Sequence, residues 1–171
     1  MIILDNIFDT DIVSKIITES FTNDYIIDWS HCSKDTVEDT GRFSTDLTNN
    51  RFLYKDLSLL LQRTLQTNFN VRRVYLNVMS YGSEGGYHFD SLDSNAYTIL
   101  YFIGGPDDKT DTDEYGGYFY YKENGEIKCI EPINNRLLFF KSDIIHKASC
   151  YKRMITRPRF SIAWKVYVNN L

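Results

Sequence analysis

A histidine and an aspartate two positions apart are the clearest candidates for chemistry in this chain. They are His88 and Asp90, and the 171-residue sequence has only two other histidines, His31 and His146. Side chains of an extended backbone alternate in direction, so His88 and Asp90 would lie on one side of a strand and Phe89 on the other, toward the core. An imidazole and a carboxylate placed in this way can bind one divalent cation together.

The third ligand of such a site could come from His146. This residue follows the apolar run 137–140 and the turn-like segment 141–143, which predicts a position at a strand end or in a loop. Two histidines and one carboxylate leave three positions of an octahedron open, the arrangement typical of non-haem Fe(II) oxygenases. Zinc would accept the same ligands but has no redox chemistry. Because His-x-Asp also arises by chance, the interpretation depends on its context.

A segment near the end of the chain supplies that context. Pro158 has no N–H and belongs at the start or edge of a strand, so a strand is predicted to begin at Arg159. Alternation places Arg159 and Ser161 on one face of this strand, and Phe160 and Ile162 on the other. A guanidinium and a hydroxyl on one face can bind a carboxylate through charge-assisted hydrogen bonds of roughly 1.5–3 kcal/mol each. The alternative is an exposed arginine beside an ordinary strand.

Two helices and a long loop are predicted ahead of these residues. Asp9 or Thr10 can cap a helix that ends near Phe21, because apolar residues recur there at the i, i+3, i+4 spacing of one helical face. A stripe of leucines predicts a second helix over 52–66. The polar stretch Ser30–Arg51 has neither period and predicts a long loop, with a disordered excursion as the alternative and His31 at its surface.

From Val71 onward the pattern changes to short β-rich runs separated by Gly, Asn and Asp, which predicts a jelly roll or barrel. The predicted strands cover about 71–81, 86–90, 97–103, 117–121, 126–130, 136–141 and 159–168. The insert Pro106–Gly117 carries five acidic residues and predicts a solvated loop tip. We therefore expect one domain, with N-terminal helices over about 1–70 and a mainly β core over about 71–168.

Composition narrows the class of partner. The formal net charge of −4 gives no global attraction to nucleic acid or to an anionic membrane, so neither is expected as a partner. No apolar run approaches the ~20 residues that a membrane helix needs. Cys32, Cys129 and Cys150 lack the close spacing of zinc or redox sites and predict free thiols. A soluble, cytoplasmic protein is expected.

Several separated segments resemble the 2-oxoglutarate/Fe(II)-dependent dioxygenase superfamily, most closely its prolyl hydroxylase branch. The resemblance covers about 71–168. It is carried by His88-Phe89-Asp90, by Gly116-Gly117, by IEPINNRLLFFKSD followed by His146, and by the terminal RFSIAW. It implies a double-stranded β-helix (jelly roll) that uses Fe(II), O₂ and the cosubstrate 2-oxoglutarate, with ascorbate in support.

The resemblance also implies a role for individual residues. The implied iron ligands are His88, Asp90 and His146, and the implied 2-oxoglutarate contacts are Arg159, Ser161, Tyr81 and Tyr101. Each tyrosine could instead be a core aromatic. Arg159 follows His146 by 13 positions, more than in typical prolyl hydroxylases, so Arg157 competes for the carboxylate. A carboxylate at Asp90, where related halogenases have a small residue, implies hydroxylation.

The expected activity is hydroxylation of an unactivated C–H bond, with peptidyl proline as the substrate that the resemblance suggests. Free amino acids, other protein side chains, nucleobases and small metabolites are alternative substrates. A non-catalytic jelly-roll binding module would share the fold without needing the metal ligands. A cupin-like metal enzyme would need those ligands but would have no use for Arg159 and Ser161.

Overall fold

Two antiparallel sheets form the framework of the structure. The computed structural model describes residues 1–21, 28–30, 42–106 and 112–169, with the backbone alone at 28–30, 42–43 and 112–113. Its strands are β1 (Ile2–Leu4), β2 (Asp28–Ser30), β3 (Arg42–Asp46), β4 (Phe69–Met79), β5 (Ala96–Ile103), β6 (Phe119–Glu123), β7 (Glu126–Ile130), β8 (Leu137–Lys141), β9 (His146–Ala148) and β10 (Arg159–Val168).

The sheets differ in size and face each other. Within the described residues, the larger sheet has seven strands in the order β1-β8-β5-β10-β4-β3-β2, and the smaller has three in the order β7-β6-β9. Apolar side chains from both fill the space between them. They are Tyr75, Leu100, Phe102, Phe119, Ile130, Leu138, Phe140 and Ala163. Two such sheets packed face to face make a jelly roll, which confirms the fold class predicted from the sequence.

Two helical segments cover the other face of the larger sheet. They are α1 (Thr10–Phe21) and a π-helical segment (Phe52–Asp56) that continues into α2 (Leu57–Leu65). The short α3 (Thr112–Tyr115) lies between β5 and β6, and none of its described side chains belongs to the core on that face. As predicted, Asp9 caps α1, because its Oδ1 accepts the Ile12 N–H at 2.9 Å. No helix among the described residues is both long and apolar enough to span a bilayer.

Alternation along β10 separates the helix-side core from the interior of the jelly roll. Ile162, Trp164 and Val166 belong to the helix-side core, where the predicted leucine stripe also packs. The Trp164 indole N–H donates to the carbonyl of Leu53, in the π-helical segment, at 2.9 Å. This hydrogen bond joins helix to sheet and satisfies a buried donor. The odd-numbered residues of β10 therefore face the smaller sheet.

The loop prediction for Ser30–Arg51 is wrong over its second part. Arg42–Asp46 is a strand that pairs with β4, with Thr45 opposite Leu76, and it belongs to the larger sheet. Its polar sequence lacks the usual strand composition, and the pairing partner supplies the hydrogen bonds that local pattern cannot reveal. The described part of the first seventy residues thus contains three complete strands, β1, β2 and β3, as well as helices. Residues 31–41, with His31 and Cys32, lie outside the described residues.

Two other predicted elements differ from the structure. Residues 86–90 do not form a strand, and His88 makes only an isolated antiparallel bridge to His146. The glycines before it give the backbone freedom that a regular strand lacks. The insert Pro106–Gly117 is not one solvated loop, since it contains α3 and both terminal residues are buried; residues 107–111 lie outside the described residues.

Candidate active site between the sheets

Two histidines and one aspartate meet in a cavity between the sheets. His88 Nε2 lies 3.8 Å from Asp90 Oδ1, and His146 Nε2 lies 3.7 Å from Asp90 Oδ2. One ligand atom from each residue lies within 4.8 Å of the other two. Each side chain is at most 11 % exposed. The geometry therefore suits one cation shared by three ligands.

Backbone contacts orient both imidazoles. The N–H of His88 donates to the carbonyl of His146 at 3.0 Å, and the N–H of His146 donates back at 2.8 Å. The side-chain Nδ1 of His88 lies 2.9 Å from the Gly86 carbonyl, and that of His146 lies 2.8 Å from the Ile144 carbonyl. Since a carbonyl only accepts, each Nδ1 carries the proton. In a neutral imidazole with this tautomer, Nε2 presents its lone pair for a metal.

Asp90 is held in place by polar neighbours. Its backbone N–H donates to the Ser142 carbonyl at 2.8 Å. Its Oδ2 accepts a hydrogen bond from the hydroxyl of Thr98 at 2.7 Å and forms an ion pair with the ammonium group of Lys165. Burial acts to raise the pKa of Asp90, but Lys165, His146 and Thr98 outweigh it and hold the pKa well below its usual range. Asp90 is therefore an ionised carboxylate at neutral pH.

His146 sits against two aromatic rings. Phe119 stacks on it at 5.2 Å between ring centroids, and Phe140 meets it edge-on at 5.2 Å. This burial lowers the pKa of His146 to about 4. A neutral imidazole at neutral pH is the form that binds a metal.

Arg159 is a buried cation with unmatched donors. Its side chain lines the same cavity as the three ligands, and the residue is 1 % exposed. Its Nη1 donates to Met79 Sδ at 3.5 Å, whereas its Nε and Nη2 have no hydrogen-bond partner among the described residues. Burial lowers the pKa of Arg159 to about 10, so it stays charged at neutral pH. A buried guanidinium in this state calls for an anion.

The competing arginine lies elsewhere. Arg157 is exposed and donates to the hydroxyl of Tyr115 at 3.3 Å, outside the cavity lining. Ser161 lines the cavity on the same strand face as Arg159, and Arg159 begins β10, as predicted from Pro158. The structure therefore brings Arg159 and Ser161, and not Arg157, to the cavity.

Solved structures of known oxygenases share this architecture, although no protein-family model matches the chain and no curated protein sequence is similar to it. A prolyl hydroxylase from Trichoplax adhaerens, in complex with a hypoxia inducible factor oxygen degradation domain peptide fragment, superposes with a TM-score of 0.74 at 14 % identity, covering 97 % of this chain and 82 % of that one. A 2OG-Fe(II) oxygenase family oxidoreductase from Burkholderia pseudomallei gives 0.71 at 14 % identity, with coverages of 99 % and 85 %. A Pseudomonas putida prolyl-4-hydroxylase gives 0.65 at 15 % identity, with coverages of 98 % and 92 %.

The fold is that of the 2-oxoglutarate/Fe(II) oxygenases. Fe(II) and 2-oxoglutarate are the groups that this oxygenase fold implies, and the residues present fit both. Two imidazoles with free Nε2 lone pairs and an ionised carboxylate match a non-haem iron site. The unmatched Nε and Nη2 of Arg159 match a carboxylate.

Tyr101 is not at the cavity, so its assignment from the resemblance is corrected. Its ring contacts Phe8 at 5.4 Å between centroids in the helix-side core, and its hydroxyl donates to Asn135 Oδ1 at 3.0 Å. Burial raises the pKa of its phenol. The β5 residues that line the cavity are Thr98 and Leu100, which lie on the opposite face of the strand from Tyr101.

Replacing Tyr101 with Phe tests this placement. We expect the 2-oxoglutarate KM to stay within about twofold, and the free energy of unfolding to fall by about 1 kcal/mol because one buried hydrogen bond is lost. In the variant, Asn135 Oδ1 would still accept the hydrogen bond from the Phe8 N–H, at 3.2 Å in the wild type, which limits the loss of stability. Steady-state kinetics and urea unfolding measure both quantities. A tenfold increase in the KM for 2-oxoglutarate would instead show that Tyr101 contributes to binding the cosubstrate.

Tyr81 and Phe89 also differ from their expected positions. Tyr81 is 64 % exposed and does not line the cavity, so the structure does not bring it to the other candidate residues. Phe89 is 44 % exposed, not in the core. Both lie in the irregular segment between β4 and β5, where no regular strand imposes alternation.

Gly117 leaves room for Arg159 to enter the cavity. A Cβ at Gly117 would lie 2.6 Å from the ring of Tyr151 and 3.1 Å from Arg159 Cδ, and the residue has a φ of +78°. Gly125 has a similar φ of +81° but nothing within 4 Å of its Cβ position. Because the two glycines share a positive φ and only Gly117 is crowded, substitutions at both positions distinguish steric crowding from backbone strain.

Gly117→Ala should therefore lower the free energy of unfolding by about 1–3 kcal/mol more than Gly125→Ala does. It should also weaken 2-oxoglutarate binding, since the clash pushes on Arg159. Urea denaturation of the two variants and calorimetric titration with 2-oxoglutarate provide the comparison. Equal losses of stability would show that Gly117 matters only for its φ.

Four further polar residues line the cavity but were not singled out from the sequence. They are Tyr75, Asn77, Thr98 and Lys165. Lys165 shares a face of β10 with Arg159 and Ser161, so alternation alone could have identified it. The others become visible only through strand pairing, which sets Asn77 opposite Ser161.

Proposed function

We propose that this chain is a 2-oxoglutarate- and Fe(II)-dependent dioxygenase that hydroxylates an unactivated C–H bond. The observation that carries the proposal is the position of Arg159. A buried cation with two unmatched nitrogen atoms is costly to fold, and it lines the same cavity as His88, Asp90 and His146. A metal enzyme that binds no dicarboxylate would have no use for it.

Each residue would have a separate task. His88, Asp90 and His146 would hold Fe(II), and Arg159 with Ser161 would bind the distal carboxylate of 2-oxoglutarate. Fe(II) and 2-oxoglutarate, when bound, supply the O₂ activation that turns a C–H bond into a hydroxyl. Phe119 and Phe140 keep water from His146, which preserves its neutral form.

The finer proposal for the substrate is a peptidyl proline. Two of the three similar structures named above are prolyl hydroxylases, and one of these two is a complex with a peptide fragment. A free amino acid or another small metabolite is the second candidate. A second cavity, lined by Arg72 and Lys165 among others, lies beside the candidate ligands. It has the size of a small-molecule site and supports this alternative.

Binding and turnover together test the proposal. Under anaerobic conditions, calorimetry with Fe(II) alone should show one site, and 2-oxoglutarate should bind tightly only after the metal. In air, with ascorbate, the wild-type protein should release succinate slowly even without substrate. Fe(II) binding without 2-oxoglutarate binding would favour a cupin-like enzyme. Binding of neither would favour a non-catalytic module.

Mass spectrometry can then identify the substrate class. Peptide libraries containing proline and libraries of amino acids and small metabolites should be incubated with Fe(II), 2-oxoglutarate and ascorbate. A gain of one oxygen on proline-containing peptides alone supports the prolyl hydroxylase proposal. A gain only on free amino acids or metabolites contradicts it.

A further inference from the structure

A second cavity adjoins the candidate iron site. It has a volume of about 350 Å³ and shares Tyr75, Asp90 and Lys165 with the cavity that contains the ligands. A volume of this size suits a small molecule or one side chain of a larger one. Because it reaches Asp90, a molecule bound there would lie beside the reacting centre.

The lining of this second cavity is strongly basic. Arg72, Arg73 and Lys165 contribute to it, and Asp90 is the one carboxylate among the described residues that line it. A metal bound by Asp90 would remove that negative charge as well. The local positive charge contrasts with the formal net charge of −4 of the whole chain. Such a concentration of cations attracts anions.

A β-bulge directs two consecutive arginines to the same side. Along the pair β10–β4, Lys165 lies opposite Arg73, but Val166 lies opposite Val71, so Arg72 is the extra residue. In a regular strand Arg72 and Arg73 would point to opposite faces. The bulge lets both line the cavity while Val71 returns to the helix-side core.

Tyrosine rings hold the arginine heads in position. The guanidinium carbon of Arg72 lies 5.3 Å from the centroid of the Tyr167 ring, and that of Arg73 lies 5.0 Å from the Tyr75 ring. Arg73 also has an ion pair with Asp46 at 3.3 Å, whereas Arg72 has no carboxylate partner among the described residues. Arg72 is therefore a positioned cation without an anion.

With a metal ion at the candidate site, Lys165 would become a second such cation. Its ammonium group pairs with Asp90 and donates to Thr98 Oγ1 at 3.1 Å. A divalent cation on Asp90 would neutralise the carboxylate and repel the ammonium group. Lys165 would then need another anion, and the second cavity is the space that it shares with Arg72.

We propose that the second cavity binds an oxyanion of the substrate, a carboxylate or a phosphate, through Arg72 and Lys165. This inference rests on the proposed function, because it places the anchored end of the substrate beside the candidate iron site. It limits the substrate to molecules that carry such a group near the oxidised carbon, including a peptide with a free carboxylate. Neutral analogues of the same shape would bind poorly.

Binding to matched probes tests the proposal without turnover. The Zn(II)-loaded protein, saturated with 2-oxoglutarate, should be screened by saturation-transfer NMR against compound pairs that differ in charge. The carboxylate pairs are N-acetyl amino acids and short peptides with a free or an amidated C-terminus. The phosphate pairs are ribonucleoside monophosphates and their nucleosides. The two sets distinguish the two sources of an oxyanion.

The charged members of at least one set should bind, and their neutral partners should not. Arg72→Gln should weaken this binding by roughly fivefold to tenfold, and added salt should weaken it in the wild type. Arg63→Gln, which removes an exposed arginine from the last turn of α2, is the matched control and should bind like the wild type. Both arginines are exposed, so neither variant should lose its fold.

Three results would overturn the proposal: equal binding of charged and neutral members, no binding of any charged member, and unchanged binding by Arg72→Gln. The fate of the proposed function is measured separately, as succinate formed from 2-oxoglutarate by the Fe(II)-loaded wild type. Absence of succinate with a clear preference for charged probes would refute the oxygenase and keep the anion site. Succinate formation without that preference would do the reverse.

Discussion

Asp90→Asn and His146→Ala should each reduce succinate formation to the level of a control without protein. Three candidate ligands lie together among the described residues, and His146→Ala would remove one of them, whereas Asp90→Asn would replace an anionic ligand with a weaker neutral one. In both variants the affinity for Fe(II) should fall. Asp90→Asn keeps the shape of the side chain and removes its charge. Calorimetry with Fe(II) and a succinate assay measure the two consequences.

Asp143→Asn is the matched control for the loss of a carboxylate. Asp143 is exposed and lies three positions before His146, outside the cavity lining. Its variant should bind Fe(II) and form succinate like the wild type. Comparable turnover by Asp90→Asn and by wild-type protein would place the metal elsewhere.

Arg159→Met should raise the KM for 2-oxoglutarate by roughly 100-fold, because two charge-assisted hydrogen bonds to a carboxylate are lost at about 1.5 kcal/mol or more each. Arg157→Met should leave this KM within about twofold, since Arg157 contacts Tyr115 at the surface. Steady-state kinetics with varied 2-oxoglutarate decide between the two arginines. The reverse ranking would assign the carboxylate to Arg157.

The same variant has an opposite effect on stability. Without ligand, Arg159 is a buried cation with two unmatched nitrogen atoms, so Arg159→Met should raise the free energy of unfolding by about 1–3 kcal/mol. Added 2-oxoglutarate should stabilise the metal-loaded wild type and not the variant. Urea unfolding with and without 2-oxoglutarate measures both effects. A destabilised variant would mean that the guanidinium serves packing.

The local sequence was enough to predict helices and strands whose apolar residues recur with the period of a helix or alternate as in a strand. Helix α1 ends at Phe21, as the spacing of its apolar residues indicated, and its cap is Asp9, one of the two candidates Asp9 and Thr10. Strand β10 begins at Arg159, because Pro158 cannot donate to a sheet. Alternation along that strand then brought Arg159 and Ser161 to one face. These features depend on neighbours in sequence.

The errors have a common origin in contacts between distant segments. Arg42–Asp46 is polar and becomes a strand only because β4 offers it hydrogen-bond partners. Tyr101 was matched to a family position, but register turns it toward Phe8 and Asn135, away from the cavity. Residues 86–90 give His88 its position through a single bridge to His146, without a regular strand.

The residue types that could bind a metal and a carboxylate were determined by the sequence alone. His88, Asp90 and His146 have side chains that can bind a metal, and Arg159 has a cation that can bind a carboxylate, wherever the chain places them. Only the tertiary structure decided that they share one buried cavity, that Arg157 does not, and that Lys165 and Arg72 lie beside them. The reason is physical: ligand identity is a property of single side chains, whereas distance, burial and strand register depend on segments far apart in the chain.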